Sequence, residues 1–119
     1  MSEAQTISGT EGIARDLTAF QHNILVILAR EAMYGLAIKR ELEAYYGDEV
    51  NHGRLYPNLD ELVELGLVEK SELDKRTNQY ALTDDGLEAV LDQLEWTFSM
   101  LLTDDERAET VESLIAQQD

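Results

Sequence analysis

Residues 51–66, NHGRLYPNLDELVELG, constrain the fold most. Leu55, Leu59, Leu62 and Val63 recur at helical spacing and make one apolar stripe. Asn51 is a natural N-cap, and Gly66 suits the residue just past a helix end. His52, Arg54 and Tyr56 gather at the start, while Asp60, Glu61 and Glu64 crowd the outer face further on. Pro57, the only proline of the chain, stands between the two halves. It removes one helical N–H and is expected to bend the axis there. Such a short amphipathic helix must bury its stripe against other elements to persist.

The flanking sequence supplies them. Asp16 reads as the N-cap of a first helix with Leu17, Phe20, Ile24, Ile27 and Leu28 inward, widened by Leu25 and Val26. A second helix is predicted over MYGLAIKRELEAYYG, closed by Gly47, with Ile38, Leu42, Tyr45 and Tyr46 facing in. After the 51–66 helix, two β-compatible runs (67–73 and 78–83) flank a polar tip, Asp74 to Thr77, which is a hairpin signal. Thr83 then caps a long helix with Asp84 and Asp85 in its first turn, where acids suit the helix dipole. Leu87, Val90, Leu91, Leu94, Phe98, Leu101 and Leu102 form its wide stripe, with Trp96 and Met100 opposite. Apolar on two sides, it calls for two partners: its own domain and a second subunit. Thr103 and Glu106 form a capping-box pattern for a last helix with Ala108, Val111, Leu114 and Ile115 on its stripe.

This order predicts a mainly α fold with a small β-hairpin, the layout of a winged helix-turn-helix carrying a C-terminal dimerisation helix. The expected divisions are a flexible arm over 1–15, a DNA-binding domain over 16–83 and dimerisation helices over 84–119. At 119 residues one domain with its own core is expected.

Charge narrows the function. The chain carries 25 acids against 9 bases, a formal charge of −16. Such a surface repels itself at low salt, and in molar salt the Debye length of about 3 Å removes that repulsion. The composition therefore fits a protein of concentrated salt; an ordinary acidic protein is the plainer alternative. Residues 81–119 hold eleven acids and one base, whereas 31–80 hold eleven acids and six bases, so an anionic partner would be met in the middle. No cysteine is present, which excludes thiolate catalysis, disulfides and zinc–cysteine sites. His22 and His52 lie far apart, and no nucleophile–base pair or phosphate loop is found, so neither an enzyme nor a cofactor or metal is expected. No apolar run reaches the roughly 20 residues of a membrane span, and the N-terminus does not read as a signal peptide, so a soluble cytoplasmic protein is expected.

Three segments, YGLAIKREL (34–42), GRLYPNLDELVELGLVEK (53–70) and QYALTDDG (79–86), resemble the PadR family of winged-helix transcription regulators, in order and at that family's spacing. The short C-terminal part resembles the smaller PadR subfamily, and the acidity resembles its haloarchaeal members. The resemblance implies a homodimer on double-stranded operator DNA, joined by C-terminal helices and often the N-terminal one. It also implies a response to a small-molecule effector or a stress signal.

Arg54 is the sharpest DNA-contact candidate. It lies off the apolar stripe near the helix start, and a guanidinium can pair bidentately with guanine or bind phosphate. The plainer reading pairs it with Asp60 or Glu61. Asn51, His52, Gly53, Tyr56 and Asn58 follow; Asn51 serves equally as a cap, and Tyr56 as packing beneath the wing. Lys75 and Arg76 at the wing tip are expected at phosphates, with Lys39, Arg40 and Lys70 behind them; a solvated face explains the last three as well. Leu25, Leu94, Trp96, Phe98, Met100 and Leu101 are the expected dimerisation residues, though Trp96 and Met100 also suit a ligand pocket. Two other functions fit the same chain: a winged-helix module for protein–protein contact, and an acidic DNA mimic.

Overall fold

The computed structural model describes residues 16–74 and 77–118. The expected arm over 1–15 and the wing-tip bases Lys75 and Arg76 lie outside them. Helix α1 spans Ala19–Arg30. Its cap is Thr18, two residues beyond the Asp16 expected from sequence. The Thr18 hydroxyl accepts from the Gln21 N–H at 3.1 Å, and the Gln21 side chain accepts from the Thr18 N–H at 3.1 Å. This reciprocal box satisfies two helix-end donors at once, which a lone Asp16 does not. Phe20, Ile24, Leu25 and Leu28 are buried. Leu25 is wholly enclosed by its own core, so its expected place at a subunit interface is corrected: no second chain can reach it.

A strand missed in the sequence follows. Strand β1, Met33–Tyr34, pairs antiparallel with β3, Thr77–Leu82, matching Met33 to Tyr80 and Tyr34 to Gln79. With β2, Val68–Asp74, on the other side of β3, the sheet has the order β1-β3-β2. Two residues carry no alternation of their own, so only the neighbouring strand defines β1. The predicted second helix therefore begins later, as α2, Gly35–Tyr46, and ends on Gly47 at φ 71°. Ile38 and Leu42 enter the core, but Tyr45 is 73% exposed and Tyr46 is exposed too, against the inward placement expected. They sit in the last turn, past the edge of the core. Tyr46 stacks on Phe20 with centroids 6.2 Å apart and accepts from Asn23 Nδ2 at 2.9 Å.

Helix α3, His52–Glu64, carries its stripe as read: Leu55, Leu59 and Leu62 are fully buried and Val63 packs beside them. Thr83 ties the hairpin to the next helix. Its hydroxyl donates to the Gly66 carbonyl at 2.7 Å and accepts from the Gly86 N–H at 3.0 Å. Helix α4, Asp84–Leu101, meets the domain along Gly86, Ala89 and Val90. Leu87, Leu91 and Leu94, part of the wide stripe read from the sequence, are exposed on the single chain. Helix α5, Asp105–Ala116, is capped by Asp104 and not by Thr103. The Thr103 hydroxyl is taken by Arg107 Nη1 at 3.2 Å, while Asp104 accepts from the Arg107 N–H at 2.9 Å. No described residue of α5 is buried.

Candidate nucleic-acid interface

The α3 tip is built by its cap. Asn51 Oδ1 accepts from the Arg54 N–H at 2.8 Å, so the capping role foreseen for Asn51 is filled. At 100° per residue, Leu55, Leu59 and Leu62 fix the core side, and Gly53, Pro57 and Glu64 fall opposite. These three are exposed. Arg54 and Glu61 flank them on the side of α1; Tyr56 and Asp60 flank them on the side of the wing.

On the α1 side, Arg54 does not pair with Asp60 or Glu61. Its guanidinium carbon lies 3.9 Å from the centroid of the Phe20 ring, a cation–π contact. Glu61 instead accepts from Gln21 Nε2 at 3.1 Å. Asn58 Nδ2 donates to the Arg54 carbonyl at 2.7 Å, within its own helix.

On the wing side, His52 stacks on Tyr56 with centroids 5.5 Å apart. The Tyr56 hydroxyl lies against Gly35, whose missing Cβ leaves the room it occupies. Tyr34, Gly35, Leu36, Tyr56, Thr77, Asn78 and Tyr80 line one cleft at the root of the wing. Burial, then the charge of Asp60 and the neighbouring Tyr56, pushes the Tyr80 phenol above its ordinary value, so it stays neutral. The half-buried Tyr56 thus packs under the wing, as the plainer reading allowed.

The second-rank bases are dispersed. Lys39 is bound to Glu43 at 2.7 Å. The Lys39 ammonium, then the Val50 N–H, hold the Glu43 carboxyl below its usual range. Arg40 is exposed on α2. Lys70 borders a groove with Val63, Leu82 and Thr83, at the stem of α3 and away from its tip. Leu94, Trp96, Met100 and Leu101 are exposed along α4, and Phe98 is half-buried. Among the described residues no group of His, Asp and Glu is arranged to hold a metal ion. Nor, among the described residues, is any helix long and apolar enough to cross a membrane.

Sequence reasoning missed Phe20, Gln21 and Gly35. All three act on α3 from other elements, and only Gly35, in the tyrosine–glycine pair at 34–35, left a local signal.

The fold is similar to that of known proteins. RosR of H. salinarum, in a crystal grown from NaBr, is 71% identical, with a TM-score of 0.85 over 87% of this chain and 94% of that one. The transcriptional activators GvpE of Haloferax mediterranei and GvpE2 of Halobacterium salinarum are 29% identical over 80 residues and 30% identical over 95. They match 67% and 77% of this chain, which spans 40% and 48% of their own lengths. The sequence pattern of the Transcriptional regulator PadR-like family matches residues 24–92, more than half of the chain. The chain therefore belongs to the PadR-like family of transcriptional regulators, on a winged-helix fold.

Proposed function

We propose that this chain is a homodimeric, sequence-specific DNA-binding transcription regulator that works in the cytoplasm in concentrated salt. The observation that carries the reading is the α3 tip. In a chain of charge −16, Arg54 stands on an exposed helix end held by an aromatic ring and not neutralised by a carboxylate. Asp60, Glu61 and Glu64 lie further along α3, so the helix enters the major groove by its N-terminal end with the acidic stem tilted away. Arg54 reads a base edge or clasps a phosphate; Tyr56, His52 and Gly53 line the approach. Lys75 and Arg76 meet the flanking phosphates, and the exposed apolar face of α4 joins the two subunits.

Mobility shifts with genomic fragments in molar KCl test this. A specific shift is expected, and Arg54→Ala is expected to weaken it by about ten- to a hundredfold, the worth of one good base contact. An absent shift at every salt, with Arg54→Ala indistinguishable from wild type, would favour a protein–protein module or a DNA mimic. A stress or small-molecule signal completes the proposal. Without cysteine, an oxidant would act through methionine or indirectly; Met100 is the exposed methionine among the described residues.

A further inference from the structure

We infer that Phe20 and Gln21, adjacent on α1, are positioning residues that keep Arg54 free for DNA: Phe20 holds its guanidinium by the ring face, and Gln21 ties down Glu61. The inference rests on the proposed DNA contact of Arg54.

The chemistry of anchoring decides the matter. A guanidinium has five in-plane N–H donors. A carboxylate partner would occupy that fork, which is the part that recognises guanine or phosphate. An aromatic ring binds the π face and leaves the edge open. The Phe20 ring, 3.9 Å from the Arg54 guanidinium carbon, is such an anchor. It is itself held: Phe20 is 5% exposed and is backed by Tyr46 at 6.2 Å, whose hydroxyl accepts from Asn23 Nδ2.

The acid that most threatens the arrangement is Glu61. It lies seven residues after Arg54, two helical turns along the same side of α3. Gln21 Nε2 donates to it at 3.1 Å. Gln21 is 4% exposed, and its Oε1 is engaged by the Thr18 N–H, so the amide is locked with its N–H₂ toward Glu61. One turn of α1 thus sorts two opposite charges of α3. The cation keeps its donors, and the anion is held back by a neutral amide. In a chain with 25 acids, an arginine near DNA needs this protection more than a base does in a basic protein.

The experiment compares binding to the operator fragment and to a fragment with one base pair changed, in molar KCl. Folding of each variant is checked by circular dichroism. Phe20→Leu keeps apolar bulk but removes the ring, and is expected to lower the preference for the operator about three- to tenfold. Its affinity for unrelated DNA is expected to stay unchanged. Phe20→Tyr restores the ring face and is expected to keep the preference. Gln21→Glu keeps the acceptor for the Thr18 N–H but repels Glu61, so the preference is expected to fall; adding Glu61→Gln is expected to restore it. This second series decides the question if Phe20→Leu fails to fold. On an Arg54→Ala background, neither series is expected to change the preference further. A folded Phe20→Leu with undiminished preference, or a Gln21→Glu protein that behaves as wild type, overturns the inference while Arg54→Ala still weakens binding. Should Arg54→Ala itself be without effect, the inference and the proposed role of Arg54 both fall.

Discussion

At the scale of single residues, Pro57 and His22 carry opposite lessons. Pro57 is six residues into α3, beyond the first turn where its missing N–H would cost nothing. Its ring faces solvent, so replacing it disturbs no core contact. Pro57→Ala is expected to stabilise the fold by about 1–3 kcal/mol in urea titrations, by restoring the bond to the Gly53 carbonyl. An unchanged or lowered midpoint would show that the helix already accommodates the ring. His22 is half-buried on α1, and burial lowers its pKa from 6.5. The charged form is thus disfavoured in the folded state. As pH falls, the unfolded chain takes up the proton first. The contribution of His22 is full above the ordinary value and is lost as pH drops from there through the folded value. His22→Gln is expected to flatten the fall in urea midpoint as pH drops below about 6.5; a wild-type slope in the variant would refute this. Of these residues, the proline was plain in the sequence. The burial of His22 was not, because it depends on what packs over α1.

At the scale of elements, the junctions decide more than the elements do. The stripes of α1 and α3 were legible because a 3.6-residue period survives any tertiary arrangement. β1 was not, because only its pairing with the distant β3 makes it a strand. The caps of α1 and α5 are local, and neighbouring residues of the same capping type, Asp16 and Thr103, competed for them. The tightest junction is the start of α4 against the sheet. A Cβ built on Gly86 would lie 2.2 Å from the Leu67 carbonyl oxygen and 2.6 Å from Leu82 Cδ1. The oxygen is backbone and cannot swing aside. Gly86→Ala is expected to cost about 2–3 kcal/mol, lowering the melting temperature on the order of 10 °C. A melting temperature within a degree or two of wild type would mean that α4 can lift off the hairpin without loss.

At the scale of the whole molecule, net charge and the apolar face of α4 set the behaviour. A charge of −16 on 119 residues is expected to make melting temperature rise between 0.1 and 3 M KCl, as screening removes self-repulsion. Equal stability at both salts would count against adaptation to concentrated salt. Along α4 and α5, Leu91, Leu94, Trp96, Met100, Leu114 and Ile115 are all exposed. So much apolar surface on two successive helices fits the proposed homodimer. Sedimentation equilibrium in molar salt is expected to give a dimer, and Leu94→Glu a monomer that keeps its helical circular dichroism. A monomeric wild type would sink the dimer proposal.

The sequence by itself determined the period of each helix, the position of the hairpin, the N-cap of α3 and the acidity of the surface. Each is written in spacing or in counts, which folding does not alter. Only the tertiary structure decided that Leu25 is core, that Tyr45 and Tyr46 face outward and that Met33–Tyr34 is a strand. It also decided the company Arg54 keeps. The plainer sequence reading paired it with an acid on its own helix, because a helical wheel sees only neighbours within the helix. In the fold a ring from α1, more than thirty residues earlier, takes that place. Contacts across elements depend on how helices cross, and a periodicity does not encode the crossing.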